Sequence, residues 1–317
     1  MRYGFGVDIG GTTVKLAFFE ETGNLLHKWE IPTNTENAGE AILPDIAVSI
    51  QAFLEKESIA KETILGIGVG VPGPVSEDGI VNKCINLGWG VINLHEELSA
   101  LTGFAVKAGN DANVAALGEC WKGSGQGYRD MVLATLGTGI GGGVVIDGKI
   151  INGAHGAGGE IGHSKLNPME EDQCNCGGYG CAEQYCSATG IVRLAKKYLR
   201  EYTGESTLLT LENPEAKDIF AAAERGDAAA CEILEQVYRY MGLFLANVCC
   251  VVDPEVIVLG GGVSKAGEPL ITGARNYFEK YAFHACAPTE IVLAVLGNDA
   301  GVYGAFKLVL DTVCEQA

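Results

Sequence analysis

The chain has 317 residues, 47% of them hydrophobic, and a formal net charge of −18 at pH 7. This length and composition suit a globular protein with two domains, and so acidic a surface excludes nucleic acid and anionic membranes as partners. The 11 cysteines are scattered and odd in number, so they predict no disulfide framework and favour a reducing cytoplasm.

The first predicted elements are two strands joined by a glycine–threonine tip. Residues 3–19 contain two runs of β-branched and aromatic residues around Gly10-Gly11-Thr12-Thr13, which is typical of a hairpin. The tip offers amides and hydroxyls to a phosphate, and Lys15 follows one strand residue further on. Asp8, at the end of the first strand, could hold the water shell of Mg²⁺. An ordinary hairpin explains these residues equally well.

A helix and a buried strand are predicted next. Apolar residues recur at helical spacing over 37–58. Residues 64–71 read as a buried strand that ends in the rigid turn Pro72-Gly73-Pro74. Trp89 lies in loop-like sequence, where it would contact a sugar face or, as we expect, be a partly buried structural residue.

The pair Asn110-Asp111 lies between a short predicted strand, 104–108, and a helix that continues through Cys120. An asparagine and an aspartate at this position usually cap a helix. They also lie where α/β folds open a crevice, beyond the carboxyl end of a strand. Asp111 is therefore a candidate catalytic base, although the pair taken alone favours the cap.

A second glycine-rich hairpin is predicted over residues 131–146. Its glycines, Gly137-Thr138-Gly139-Ile140-Gly141-Gly142, match the dinucleotide fingerprint Gly-x-Gly-x-x-Gly. That fingerprint requires a helix after the glycines, whereas a β-branched run closed by Asp147-Gly148 follows here. We therefore expect a second phosphate-binding hairpin. The sequence also lacks the Gly-x-x-x-x-Gly-Lys-[Ser/Thr] motif, which excludes a Walker-type P-loop.

The stretch from Glu160 to Glu183, named the cysteine loop below, carries the strongest signal in the sequence. It combines one imidazole with three thiols in short spacing: His163, Cys174, Cys176 and Cys181. This is the ligand set of a closed, structural zinc site. A disulfide with one idle thiol, or three free cysteines, are the alternatives, but neither needs a histidine. Such a metal would fix two carboxylates at the loop's ends, which suits recognition of a polyol.

The remaining chain predicts helices and two more strands. Helices are expected from about Ser187, over 216–224 and along an apolar stripe at 233–248, and strands over 256–259 and 291–296. Gly260-Gly261-Gly262 opens the next predicted helix, either as a routine turn or as a surface for adenine or ribose. No signal peptide is apparent, and the apolar run 248–259 is interrupted and too short to cross a bilayer.

Together these motifs resemble the ROK family, which groups repressors, open reading frames and sugar kinases. The match rests on Glu-x-Gly-His, then Cys-x-Cys-Gly-x-x-Gly-Cys-x-Glu, with both hairpins and the glycine turn in the family's order. The resemblance implies an α/β fold of the actin/hexokinase type, with two ribonuclease H-like lobes. The smaller lobe would be 1–109, joined by the C-terminal helix at about 300–317, and the larger lobe 110–299.

The resemblance also implies roles for individual residues. Asp111 would be the catalytic base, and His163, Cys174, Cys176 and Cys181 would bind structural Zn²⁺. Sugar contacts are expected from Gly73, Asn110, Glu160, His163 and Glu183. Contacts to ATP and Mg²⁺ are expected from Asp8, Gly10, Gly11, Thr12, Thr13, Lys15, Gly137, Thr138, Gly139, Gly261 and Gly262.

The implied function is ATP-dependent phosphorylation of a hexose at its 6-hydroxyl, with glucose expected and a pattern most similar to bacterial glucokinases. A kinase for fructose, N-acetylmannosamine, N-acetylglucosamine or allose is the alternative within this class. A non-catalytic sugar-sensing regulator is the alternative from another class. The repressors carry a helix-turn-helix before the first strand, which begins here at about Tyr3, so the kinases are favoured. The resemblance further implies a homodimer or homotetramer.

Overall fold

The computed structural model describes residues 1–315, and the chain divides into two compact units. The first unit comprises residues 1–127, 143–159 and 296 onward, and the second comprises 128–142 and 160–295. The predicted lobes, 1–109 with 300–317 and 110–299, stay a prediction. The units differ from those bounds over 110–127, 143–159 and 296–299, which all belong to the first unit. Residues 316–317 lie outside the described residues.

The regular elements are numbered in chain order. The strands are β1 (Tyr3–Ile9), β2 (Thr13–Glu20), β3 (Leu25–Pro32), β4 (Ile64–Val71), β5 (Ile80–Val81), β6 (Ile92–Asn93), β7 (Val106–Asn110), β8 (Met131–Leu136), β9 (Ile140–Ile146), β10 (Lys149–Ile150), β11 (Val256–Gly260) and β12 (Glu290–Leu293). The helices are α1 (Ile42–Lys56), α2 (Leu94–Thr102), α3 (Asp111–Lys122), α4 (Glu183–Cys186), α5 (Ala188–Leu199), α6 (Ala216–Glu224), α7 (Ala228–Val252), α8 (Glu268–Tyr281) and α9 (Ala300–Glu315).

The first unit is built on a five-stranded sheet with the order β3-β2-β1-β4-β7. The first three strands are antiparallel neighbours, whereas β4 and β7 run parallel to β1. Helices α1 and α2 provide the crossovers that parallel strands require. The result is that the tip of the β1–β2 hairpin and the end of β7 are both fixed by sheet pairing.

A second five-stranded sheet has the corresponding order β10-β9-β8-β11-β12. Strands β8, β11 and β12 are parallel, and β9 pairs antiparallel with β10. The chain passes from the second unit to the first within β9. Two sheets of the same order agree with the repeated hairpins in the sequence.

Helix α9 packs unusually close to the first sheet and to α3 because glycines line both contacts. A Cβ added at Gly68 would lie 1.6 Å from the Ala305 carbonyl oxygen, and one at Gly304 would lie 1.7 Å from the Val114 oxygen. On the sheet's α9 face, the rings of Phe19 and Phe306 stack with centroids 4.9 Å apart. These contacts hold α3, and the residues at its start, against the unit's core.

Most predicted elements are confirmed, with a few corrections. Trp89 is a buried structural residue whose indole donates to the Gly39 carbonyl at 3.0 Å. The glycine turn does not open a long helix: a short 3-10 turn, Val263–Ala266, follows it before α8 begins. The last predicted strand is shorter than expected and ends at Leu293. Within residues 1–315, no helix is long and apolar enough to cross a membrane.

Candidate active site and metal-binding cluster

The first hairpin brings a partly buried carboxylate against an ammonium group. Asp8 and Lys15 are cross-strand partners, and Lys15 Nζ lies 3.3 Å from Asp8 Oδ2 and 3.1 Å from the Asn298 carbonyl oxygen. Burial raises the pKa of Asp8, while the charge of Lys15 acts in the opposite direction. At the tip, the Gly10 amide donates to the Thr13 oxygen at 3.0 Å, and Gly11 and Thr12 are exposed. Gly11 and Thr12 are thus accessible to a phosphate at the tip.

The β7–α3 junction, residues 106–113, holds Asn110 and Asp111 through different bonds. Asn110 is the helix cap: its Oδ1 accepts from the amides of Ala112 and Asn113 at 3.0 and 3.2 Å. Its Nδ2 donates to the Gly73 carbonyl at 3.2 Å, which connects the junction to the predicted Pro-Gly-Pro turn. Asn110 thus provides the cap. Asp111 is the first residue of α3, where the helix dipole favours a carboxylate.

The second hairpin has the strand–glycine–strand form that the sequence predicts. Strand β8 ends at Leu136 and β9 begins at Ile140, so the helix that a dinucleotide fingerprint requires is not present at this point of the chain. The start of α5 lies against the tip: the Ala188 amide donates to the Gly137 oxygen at 2.8 Å, and Thr189 Oγ1 to the Thr138 oxygen at 2.5 Å. A helix N-terminus at such a tip favours bound anions.

The cysteine loop gathers its four predicted ligands into one cluster. The ligand atoms of His163, Cys174, Cys176 and Cys181 all lie within 4.8 Å of one another. The Sγ atoms of Cys176 and Cys181 are 3.6 Å apart, close to the edge of about 3.8 Å that a tetrahedron with 2.3 Å zinc–sulfur bonds would have. The 11 cysteines, all within the described residues, are free thiols. The donor set and spacing fit a metal ion and not a disulfide.

The backbone of the loop fits the cluster because glycine occupies its tight turns. Gly177 and Gly180 have φ values of 84° and 66°, and a Cβ at Gly180 would lie 1.8 Å from the Asn167 carbonyl oxygen. Burial raises the pKa of Cys174, whereas the Gly178 amide lowers that of Cys176. A metal ion would replace these protons, since thiolates are the binding form.

Two carboxylates flank the cluster. His163 Nε2 lies 3.8 Å from Glu160 Oε2, and His163 Nδ1 lies 3.6 Å from Glu183 Oε1. The same Glu183 oxygen accepts from the Cys174 thiol at 2.8 Å. Glu160 is more than half exposed, but Glu183 is only 14% exposed. The structure therefore brings Glu160, His163 and Glu183 together, as the sequence predicts.

The second unit also contains a cavity of about 1100 Å³. Thr138 and Gly262 contribute to its wall, so the cavity reaches both the second hairpin and the glycine turn. Gly261 adopts φ 82° and approaches Leu136, since an added Cβ would lie 2.6 Å from that residue's oxygen. The basic side chains of the wall are Arg193, Lys196, Lys197, Arg200, Lys217 and Lys265, against the three acids Asp172, Glu215 and Glu224. In a protein of charge −18, such a wall favours an anionic ligand.

Sequence reasoning missed the part of this wall that α5 and α6 provide. The apolar side of α5 was identified correctly, as Ile191 and Leu194 are buried. Its basic residues, from Arg193 through Lys196 to Arg200, recur at helical spacing on the other side, which normally indicates only a solvated face. The signal that could have distinguished them is a basic stripe on one helix of a strongly acidic protein.

Comparison with known proteins agrees with this architecture. A model of the ROK family matches residues 4–312. The chain is 43% identical to a glucokinase of Halalkalibacterium halodurans over 97% of this chain and 95% of that protein. It is 36% identical to a Thermotoga maritima glucokinase over 97% of each. A crystal structure of a ROK family glucokinase from Streptomyces griseus, in complex with glucose and AMPPNP, matches with a TM-score of 0.74 and 32% identity, over 96% of this chain and 98% of that one.

The two-sheet α/β fold matches that of solved ROK family proteins, among them the Streptomyces griseus glucokinase, which confirms the predicted fold class. The chain belongs to the ROK family, because the family model covers nearly all of it. The family resemblance inferred from the sequence is therefore confirmed.

Proposed function

We propose that the protein transfers the γ-phosphoryl group of ATP to the 6-hydroxyl of glucose. The observation that carries this proposal is the match, over 96% of the chain, to a glucokinase whose crystal structure contains glucose and AMPPNP. The 43% identity to another glucokinase supports the same substrate pair. A kinase for another hexose remains the alternative that the assay below distinguishes.

The nucleotide is assigned to the cavity of the second unit. Its volume of about 1100 Å³ is ample for a nucleotide, and its basic wall would attract one. Gly261 and Gly262 would allow adenosine to lie against bare backbone. Gly137, Thr138 and Gly139 at the tip of the second hairpin would donate to phosphate oxygens. Gly10 to Thr13 and Lys15, in the first unit, are proposed phosphate-binding residues from the sequence pattern and the family resemblance.

The cysteine loop carries three proposed sugar-binding residues: Glu160, Glu183 and His163, which would bind hydroxyls. Asn110 and Gly73, in the first unit, are proposed sugar-binding residues from the family resemblance. In the transfer, the 6-oxygen forms a bond to the γ-phosphorus as the bond from phosphorus to the ADP oxygen breaks. The hydroxyl proton passes to the carboxylate of Asp111, which acts as the general base.

Two metal ions belong to the proposal. The imidazole and thiolates of the cluster fit Zn²⁺, which would be structural because four protein ligands leave no open position. Asp8 fits Mg²⁺ more loosely, as one carboxylate that would bind the ion's water shell, while phosphates supply further ligands. When bound, Mg²⁺ neutralises charge on the transferring phosphoryl group.

The deciding experiment is a coupled ADP-release assay with Mg-ATP and a panel of glucose, mannose, fructose, N-acetylglucosamine and N-acetylmannosamine. Turnover with glucose, and none with 6-deoxyglucose, would establish the substrate and the position of attack. Preference for an acetamido sugar would replace glucose but keep the kinase. Absence of turnover with every sugar, in protein shown to contain zinc, would favour the sugar-sensing regulator.

The assembly and compartment stay predictions of the sequence. A homodimer or homotetramer is expected from the family resemblance, and a cytoplasmic location from the cysteine usage. Sedimentation velocity on the purified protein would test the first of these directly.

A further inference from the structure

Arg193 of α5 makes three hydrogen bonds to the cysteine loop and its border. Nη2 donates to Glu170 Oε2 and Nη1 to Asp172 Oδ2, each at 2.9 Å, and Nε donates to the Gln184 carbonyl at 3.2 Å. A planar guanidinium can serve three acceptors at once in fixed directions, which a lysine cannot. Arg193 therefore fixes three points of the chain relative to α5.

The acceptors are themselves held in place. The side chain of Glu170 is only 4% exposed, and its Oε2 also accepts from the Tyr185 hydroxyl at 2.6 Å. The Arg193 side chain lies over the Tyr185 ring, with Cζ 5.1 Å from the centroid. These hydrogen bonds, that of Arg193 first, lower the pKa of Glu170 to about 2, so the carboxylate stays charged. A buried charge held this way tolerates little displacement.

The same network continues into the metal-binding cluster. Gln184 Nε2 donates to the Asp172 carbonyl at 2.9 Å, and Gln184 Oε1 accepts from the Cys181 amide at 3.0 Å. Gln184 follows Glu183 directly, at the start of α4. Arg193 is thus connected through Asp172 and Gln184 to a predicted metal ligand and to the neighbour of a predicted sugar contact.

The ion pair between Arg193 and Asp172 also faces the cavity. Arg193 and Asp172 both line it, so the ion pair between α5 and the cysteine loop is part of the cavity wall. A ligand that contacts both side chains in the cavity would restrict them. Because those side chains also hold the loop, the restriction would reach the loop without any change of fold.

We propose that Arg193 is a positioning residue that couples nucleotide binding in the cavity to the order of the cysteine loop, and so to sugar affinity. The identities of nucleotide and sugar rest on the proposed function above. Coupling of this kind is reciprocal: the nucleotide should tighten sugar binding by the same factor as the sugar tightens nucleotide binding.

The first test is amide hydrogen exchange of residues 164–184 with and without AMPPNP, in the absence of sugar. We expect AMPPNP to slow exchange in this segment of the wild-type protein. Arg193→Lys should remove the effect, because the three donors of an ammonium lie on one atom and cannot reach acceptors spread around a planar guanidinium. Asp172→Ala, which alters a largely exposed side chain and should fold normally, should weaken it. Lys196→Ala is the matched control, since exposed Lys196 lines the same cavity three residues along α5.

At saturating AMPPNP, the Lys196 variant should keep the protection. Equal protection in wild type and Arg193→Lys, or none in wild type, would overturn the proposal.

The second test measures the Kd of glucose by calorimetry with and without AMPPNP. We expect a ratio of about fivefold or more in wild type, falling towards one in Arg193→Lys. A protein that protects its loop with AMPPNP but binds no glucose would refute the substrate and not the coupling. Glucose turnover without protection would refute the coupling alone.

Discussion

The cysteine loop and the β7–α3 junction differ in how much side chains contribute to holding them. The loop has little regular structure: besides the short turn Ile161–His163 and the isolated bridges Lys165–Cys181 and Gln173–Tyr179, side chains hold it, with four potential metal ligands at one point and Arg193 at another. The junction is fixed by backbone pairing, since Val71 of β4 is the partner of Asn110. Loss of one side chain should therefore disorder the loop, whereas the junction should keep its shape and lose only the chemistry of that side chain.

The largest effect is expected at the junction. Asp111→Asn should lower kcat by about 10²- to 10⁴-fold, because the amide cannot accept the proton of the sugar hydroxyl. The glucose Kd, the zinc content and the melting temperature should change little, since the substitution keeps the shape and Asn110 supplies the cap. Steady-state kinetics, titration and scanning calorimetry, and metal analysis on one preparation measure these four quantities.

Asp227→Asn provides the control for Asp111→Asn. Asp227 caps α7, accepting from the Ala230 amide at 3.1 Å and the Thr207 amide at 2.7 Å, and these bonds help to lower its pKa. This variant should lose little stability, because asparagine caps a helix about as well as aspartate, and it should keep kcat. Near-normal turnover by Asp111→Asn would remove Asp111 from the role of base.

Substitution in the cysteine loop should affect stability and sugar binding more than kcat. Cys176→Ser should cost the protein its zinc, at least about 3 kcal/mol of stability and a large part of its glucose affinity, because the cluster loses a ligand. We expect KM for glucose to rise more than kcat falls. Metal analysis, thermal unfolding and kinetics would be compared with Cys250→Ser, since both cysteines are exposed and only Cys176 belongs to the cluster.

Retention of zinc and of glucose affinity by Cys176→Ser would mean that the loop keeps its shape without the cluster. The comparison with the junction would then fail, because both regions would owe their shape to the surrounding fold. A loss of zinc with unchanged glucose affinity would separate the metal from sugar recognition and would place the sugar contacts elsewhere.

Local patterns explain why much of this could be predicted from the sequence. The spacing of Cys174, Cys176 and Cys181 constrains a single short loop, and the β-branched run after Gly143 allows only a strand. These signals lie within a few residues of one another, so no tertiary information is needed. The ends of α6 and the stop of α7 before Asp253-Pro254 were predictable for the same reason.

The contacts of Arg193 could not be predicted in this way. Its partners Asp172 and Glu170 lie 21 and 23 residues earlier in the chain, and no periodic pattern connects them. The cavity wall likewise combines α5 and α6 with two glycine turns that are distant in sequence. Only the packing of the second unit brings these residues together, and a basic helix face looks the same whether it meets water or a ligand.

The smallest expected effect is a loss of stability at low pH, which should begin at a higher pH near the junction than in the loop. Beside the junction, His95 Nε2 accepts from the Ala108 amide at 2.8 Å. Burial, helped by Lys107 and opposed by Asp78, lowers the pKa of His95 from 6.5 to about 4. As pH falls from 6.5 to about 4, His95 binds a proton in the unfolded chain but not in the folded chain, so the free energy of unfolding decreases. We expect a loss of about 1 kcal/mol, reduced by water because His95 is half-buried.

His95→Gln keeps an acceptor for the Ala108 amide and removes the titration, so its melting temperature should fall less between pH 6.5 and 4 than that of the wild type. His155→Gln, at an exposed histidine, is the control and should behave as the wild type. In the loop, the pKa of Glu170 is lowered from 4.5 to about 2, so its contribution to the free energy of unfolding is complete above pH 4.5 and is lost progressively as pH falls to about 2. Acid should therefore weaken the surroundings of the junction first and the loop second. Identical pH profiles for wild type and His95→Gln would show that the imidazole is not held neutral, and the two regions would no longer be distinguished by acid.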